Sequence, residues 1–348
     1  MQKGRIMPPD GAGVPPGQQQ DSGVAAEAER WNFHPGNHVQ NNPLFEWPPR
    51  PVAVLRWYQA YWLVISTTTL SLMAGALAVW LWAPNLSQTH NLSVGWTVAI
   101  WLGFLIPHTL LAGGLHLWLY RAKGQGTRLK YDARGQAKNN GSFTFRSQVK
   151  DNMFWSLASG ISFATLYTIL WFWAAANGVA ATASFAANPF WFIAWFPLML
   201  LWGSFHFYWV HRALHVPSLY KIAHALHHRN VNVGPWSGIS MHPIEHAIYF
   251  SSLFIHFVVP TSPIHILFHV YAFTLHPICS HSGFDGLLIS DKKCAQLGDF
   301  FHQLHHKYFE CNYGTVEMPW DRWFGTFHNG TGEATVQTRA FKKQMYTK

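Results

Sequence analysis

The chain has 348 residues, 49% of them hydrophobic and only 11% charged, where soluble globular proteins carry about a quarter charged residues. No Asp, Glu, Lys or Arg occurs between Arg56 and Arg121, between Asp151 and Arg212, or between Glu245 and Asp285, and each run exceeds the roughly 20 apolar residues that cross a bilayer. This excludes an ordinary soluble domain, and the net charge of +9 reads as basic loops setting membrane topology, with no nucleic-acid partner.

Residues 1–50 are rich in Pro, Gly, Gln and Asn without apolar periodicity, which predicts a disordered N-terminal tail. No apolar segment of the signal-peptide kind follows Lys3 and Arg5. Within the tail, Phe33-His34-Pro35-Gly36-Asn37-His38 bears a chance likeness to a haem-binding motif. About fifty polar residues are too few to build the core of such a domain.

Residues 51–150 are expected to hold a first transmembrane hairpin and a basic loop. The first uncharged run is broken at Ala83–Ser93, giving helices near Tyr58–Trp82 and Val94–Tyr120. The stretch Arg121–Lys150 carries eight Lys and Arg against the single acid Asp132, which assigns it to the cytoplasmic side. The second run is broken at Asn177–Asn188, giving helices near Met153–Ala176 and Pro189–His211. Four spans put both termini and the basic loop in the cytoplasm and deliver His211 to that side. In the third run, His246–Val259 and Ile264–His276 flank Pro260-Thr261-Ser262-Pro263. Each half reaches roughly 20 Å at about 1.5 Å per residue, which predicts a short re-entrant or interfacial hairpin. Residues 331–348 are read as a C-terminal tail. Cys279, Cys294 and Cys311 are odd in number, against a disulfide framework and compatible with a reducing face.

Twenty-two histidines carry the chemistry. His211 and His215 form HxxxH; His224, His227 and His228 form HxxHH; His281 opens a His-Ser-Gly; and His302, His305 and His306 form a second HxxHH. On a helix, positions i and i+4 share a face. The first and third His of each HxxHH therefore face one site, and the second points about 100° away toward a neighbour. These nine imidazoles are too many for one tetrahedral site and suit two adjacent metals. His276, His242 and His246 are left open as ligands. His90, His108, His116, His256, His265, His269 and His328 are read as ordinary hydrogen-bonded histidines. Phe205, Phe207, Tyr208, Trp209 and Trp236 are candidate walls of a lipid tunnel.

The segments His211-Arg-Ala-Leu-His215, His224-Ala-Leu-His-His228, Ser280-His-Ser-Gly-Phe-Asp285 and Phe301-His-Gln-Leu-His-His-Lys-Tyr-Phe-Glu-Cys-Asn-Tyr-Gly314, followed by Trp320-Asp-Arg-Trp-Phe-Gly-Thr326, resemble the fatty acid hydroxylase/sterol desaturase superfamily over residues 151–330. Ser204 and Gln303 stand where acids are expected in relatives, with possible effects on the hydrogen bonds of neighbouring histidines. The resemblance implies an all-α polytopic fold: about four transmembrane helices, the short hairpin, and a cytoplasmic helical cap holding a dimetal site. It implies two irons, O₂, and electrons from NAD(P)H through a separate reductase or cytochrome b-type carrier, since no GxGxxG dinucleotide fingerprint occurs. The expected reaction is hydroxylation or desaturation of a membrane lipid C–H bond, a sterol first, with fatty-acyl or sphingolipid hydroxylation as the alternative. The expected location is a multi-pass position in the endoplasmic reticulum membrane of a eukaryote, with the site facing the cytoplasm. A zinc hydrolase would need an HExxH-type carboxylate, and none occurs. A metal transporter would spread its histidines across mid-bilayer, and a non-catalytic scaffold would not keep the full set of boxes.

Overall fold

A computed structural model describes residues 31–35, 39, 42–59 and 66–346. Helix α1 is Pro51–Tyr58 and α2 is Thr67–Leu81. Three longer helices follow: α3 (Val94–Arg121), α4 (Gln148–Ala176) and α5 (Pro189–Leu214), of 28, 29 and 26 residues, each long and apolar enough to cross a membrane. Their outer faces stay apolar: Leu110 is 70% and Phe190 86% exposed, a surface that suits lipid and not water. The expected fourth span is shorter. Its described part, α2, has 15 residues, about 22 Å of helix, while residues 60–65 lie outside the described set.

Local chemistry sets the helix ends. Ser66 Oγ accepts from Thr69 N at the start of α2, and Asn188 Oδ1 accepts from Trp191 N at the start of α5, ahead of Pro189 at its first position. A wider π-type turn ends α3 at Leu117–Arg121, and another interrupts α4 at Trp155–Gly160.

The third uncharged run differs from the expected hairpin. Helix α6 (Pro243–Phe250) continues through a 3₁₀ turn into Ile255–Val258, and α7 runs Pro263–Ser280 without stopping at Pro277. The turn between them reaches the loop joining α4 to α5: Thr261 N donates to Ala181 O and Ala183 N to Thr261 O. Trp191 Nε1 donates to Pro260 O at the same end. The hairpin therefore runs the length of the bundle. Its second half is also encased in protein, which lets it carry polar groups. Thirteen of the 18 residues of α7 are buried. Gly75 of α2 lets the helices touch, since a Cβ there would stand 3.1 Å from the Phe268 backbone nitrogen. Trp171 Nε1 donates to His256 O and Tyr271 Oη to Gly103 O, so these two ring edges are paired within a core that includes Phe104, Phe172 and Phe250.

The cap is built at the other end. It holds the helical turns of residues 217–228, helix α8 (Phe300–Tyr308), helix α9 (Trp320–Trp323) and helix α10 (Gly332–Tyr346). One β-hairpin departs from the all-α expectation: β1 (Gly286–Ile289) pairs antiparallel with β2 (Lys292–Gln296), through Ser290 and Asp291, both at positive φ. Parts of both expected tails pack on the cap. Residues 1–30 lie outside the described set, but Trp31 packs on Phe300 at 5.1 Å and His34 Nε2 meets Gly330 O at 3.0 Å. Toward the C-terminus, α10 sets Lys342 Nζ 4.5 Å over the Phe309 ring. The basic loop is likewise part of the cap, with Tyr131 buried against Phe300.

Candidate metal centre

Nine buried histidines meet in two nests. His211, His215, His224, His228 and His305 form one, and His227, His281, His302 and His306 the other; within each, the ligand atoms lie within 4.8 Å of one another. Helix α5 supplies His211 and ends at His215. A π-turn at Tyr220–His224 precedes the short helix Ala225–His228 and aims the first HxxHH. His281 caps α7, and α8 presents His302, His305 and His306 on two faces, its first turn capped by Asp299 Oδ1 accepting from Phe301 N at 2.9 Å. In each HxxHH the first and third His enter one nest and the second enters the other, as the helical period requires.

The Nε2 atoms converge. The separations are 3.1 Å for His211–His224, 3.2 Å for His215–His228 and 2.9 Å for His228–His305. In the second nest they are 3.1 Å for His281–His302, 3.0 Å for His281–His306 and 3.2 Å for His302–His306.

In four of the nine, the opposite ring nitrogen defines the tautomer. His211 Nδ1 donates to Tyr313 O at 2.7 Å, His305 Nδ1 to Cys311 O at 2.7 Å, His281 Nδ1 to Pro277 O at 2.9 Å and His224 Nδ1 to Glu245 Oε1 at 2.6 Å. With the proton on Nδ1, each Nε2 presents a lone pair. The lone pairs of His211 and His224 then face each other with no proton between them, which repels unless a cation stands there. Two nitrogens about 2.1 Å from one metal and at right angles lie about 3.0 Å apart, so the donor set fits a metal in each nest. Burial pushes His224 down to about 3 and His227 to about 4, keeping the rings neutral, the form that binds metal.

A supporting shell holds these rings. Asp321 Oδ1 accepts from Tyr313 N and Thr326 Oγ1, and its Oδ2 from Gly314 N. The Trp-Asp-x-x-x-Gly-Thr segment thereby fixes the loop whose Tyr313 carbonyl orients His211. Asn312, at φ 53°, ties that loop to Phe301 O and His328 O. Three residues of this shell escaped the sequence reading: Glu245, Glu310, which accepts from Tyr313 Oη at 2.6 Å, and Asp321. Glu245 had a visible signal, being the only charged residue between Arg229 and Asp285.

None of the three open candidates joins a nest. His276 Nδ1 bonds Thr67 Oγ1, His246 spends both nitrogens on Ser159 Oγ and Ile239 O, and His242 Nδ1 accepts from Ile244 N. His256, His265 and His269 bond Thr261, Phe192 O and Ser252 respectively. Ser204 Oγ bonds Thr315 Oγ1 and Gln303 Nε2 donates to Val231 O; neither is bonded to a nest histidine.

An elongated cavity opens from the nests between α5 and α7. Phe207, Tyr249, Phe273, Met199, Leu200 and Phe268 line it. Met199 precedes His211 by 12 residues on α5, about 18 Å of helix. Of the five expected tunnel aromatics only Phe207 lines it. Phe205 and Trp209 are each 40% exposed on the outer face, while Tyr208 and Trp236 are buried in packing.

Residues 196–326 match the family model for fatty acid hydroxylase. Over those residues the chain is similar to the fatty acid hydroxylase family. This segment contains all nine nest histidines and the Asp321 loop. A Delta(7)-sterol 5(6)-desaturase of Aspergillus fumigatus is 30% identical over 145 residues, 42% of this chain and 40% of that protein. That of Candida albicans is 32% identical over 126 residues, 36% and 32% of the two chains; that of Candida glabrata is 28% identical over 199, 53% and 52%. The chain thus spans between 32% and 52% of the length of these relatives. No solved structure matches it.

Proposed function

We propose that this chain is a membrane oxidoreductase using two irons and O₂ to desaturate or hydroxylate a sterol C–H bond. The observation that carries this reading is the position of both nests at the head of one long, largely apolar cavity. His211, His215, His224, His228 and His305 would hold one iron and His227, His281, His302 and His306 the other. Nitrogen-rich iron with open positions supplies O₂ activation when bound, which unactivated C–H bonds require because no side chain is basic or nucleophilic enough. The chain's own residues do the rest. Glu245 and the carbonyls of Tyr313, Cys311 and Pro277 hold the imidazole protons on Nδ1. Phe207 and Tyr249 shape an apolar slot that keeps water from the reacting carbon, while Met199 and Phe268 close the far end.

The relatives named above act by their names on Delta(7)-sterols at the 5(6) position, and this favours a sterol over a fatty-acyl or sphingolipid substrate. In such a substrate carbon 5 lies two bonds from the hydroxyl-bearing carbon 3. Electrons would come from NAD(P)H through a separate reductase or cytochrome b-type carrier. The basic residues of 121–150 would face the cytoplasm of an endoplasmic reticulum membrane. Lipid profiling of a knockout beside its complemented strain tests the reading. Accumulation of one sterol intermediate, cleared on complementation, is expected; an unchanged sterol profile with altered hydroxylated acyl chains overturns the sterol assignment.

A further inference from the structure

The cavity is not uniformly apolar. One corner of its wall near the nests is polar, formed by Ser204, Thr315, Glu317, His276 and Asp299. Most of these groups are already committed. Ser204 and Thr315 bond each other at 2.9 Å, His276 Nδ1 is held by Thr67 at 2.9 Å, and Asp299 caps α8. Glu317 is different: its Oε2 is buried and has no hydrogen-bond partner among the described residues. A buried acceptor left unpaired is costly, so it calls for a donor.

The protein holds this residue in place from a distance. Fully buried Asn42 donates from Nδ2 to the Glu317 carbonyl at 3.0 Å and to Tyr58 Oη at 3.1 Å. Glu317 also lies close enough to His276 and Asp299 to interact with both electrostatically. Asp299 is three residues before His302, and His276 five before His281, which sets the corner beside the nests. Glu245 Oε2 is the other unpartnered carboxylate oxygen of the cavity wall, but its fellow oxygen is tied to His224.

We propose that Glu317 is a specificity-determining residue whose carboxylate accepts a hydrogen bond from the substrate's hydroxyl, seating it beside the metal nests. This rests on the sterol reading and deepens it. A hydroxyl held at Glu317 places the ring carbons nearest to it under the nests. The apolar remainder of the molecule then runs toward Met199, Leu200 and Phe268. An acyl chain oxidised far from its head group offers no donor at this corner.

The test is equilibrium binding of two probes to the purified, metal-loaded full chain: a Delta(7)-sterol with a free 3-hydroxyl, and its 3-O-methyl ether, which cannot donate. Wild-type protein is expected to hold the free sterol about tenfold or more tighter than the ether, the worth of one hydrogen bond to a charged group. E317L should bind both alike, and E317Q, whose amide oxygen still accepts, should keep part of the preference. Equal binding of the two probes by wild-type protein overturns the proposal even if E317L does not fold, and so does a full preference retained in E317L. Failure of wild-type protein to bind either sterol, while it binds a fatty-acyl lipid, removes the sterol reading itself, and the hydroxyl seat goes with it.

Discussion

His305 and His227 show how single side chains carry the site. Each is the middle histidine of its HxxHH, and each enters the nest that the other two of its box do not. His305→Gln removes an Nε2 that stands 2.9 Å from that of His228, and His227→Gln empties one corner of the other nest. Either change should abolish turnover and lower the bound metal from an expected two ions per chain, about what this ligand supply can hold. His269→Gln is the control: it breaks the 2.9 Å bond to His256 and should lower thermal stability while leaving metal content unchanged. Metal analysis of anaerobically purified proteins checks all three, and full metal content in His305→Gln would contradict the assignment. Zinc recovered after overexpression would not, because zinc outranks ferrous iron in affinity for such ligands. Asp321 makes a subtler case, since it touches no nest histidine yet fixes Tyr313 and Gly314 by their amides. Asp321→Asn turns one acceptor oxygen into a donor facing an N–H. The Tyr313 carbonyl should shift from His211, weakening metal binding by about 10–100-fold in a chelator competition. Eight of the nine converging histidines were legible in the spacing of their boxes, because helical spacing decides which ring faces where; His281 was marked by its His-Ser-Gly segment instead. Their acceptors were not, because backbone carbonyls carry no sequence signature.

At the scale of elements, close approach between backbones decides where the histidines sit. Gly238 lies against α7 so tightly that a Cβ would stand 2.4 Å from the Pro277 carbonyl oxygen. That oxygen is the acceptor for His281 Nδ1. Gly238→Ala must therefore push the end of α7 and turn His281 out of its nest. We expect metal loss from that nest with helix content preserved, read by metal analysis beside circular dichroism; full metal retention would show that α7 yields without moving His281. The α6–α7 hairpin shows where sequence reading stopped. Counting residues gave two halves too short to span, and the Pro260–Pro263 turn was placed correctly between them. What periodicity could not show is that α7 continues through Pro277, nor which groups pair the hairpin's histidines: His265 bonds Phe192 O of α5, while His256 and His269 bond Thr261, Ser252 and each other within the hairpin. Hydropathy scores a helix as if it met lipid directly, whereas this one meets protein on most of its surface.

The whole molecule is polarised between two ends, and that polarity explains both where residues 31–35 pack and how the topology can be tested. The cap draws its core from distant pieces: Trp31 beside Phe300, Tyr131 against the same ring, and Lys307 Nζ 3.6 Å over Trp31. Single aromatic anchors in a polar segment leave no periodic pattern, so residues 31–35 looked like part of a tail. At the opposite end, Asn177 Nδ2 donates to His90 O and Thr89 Oγ1 to Phe172 O. These bonds join the loop after α2 to the end of α4, while the Thr261 bridge brings in the hairpin turn. Three connections thus meet at one end, all free of charged residues, while the basic residues of 121–150 lie at the other. Basic loops remain cytoplasmic, so the uncharged end should be lumenal. Asn85 and Asn91, each exposed and each followed two residues later by Ser, provide built-in glycosylation reporters. In microsomes, glycosidase-sensitive modification at one of them is expected. A cysteine placed at Val179 in a cysteine-free background should be shielded from a membrane-impermeant thiol reagent until the membrane is opened. A cysteine at Gly135 should react in sealed vesicles. If the 135 and 179 positions react from the same side, the two ends of the bundle do not face opposite compartments, and the histidine nests lose their cytoplasmic assignment.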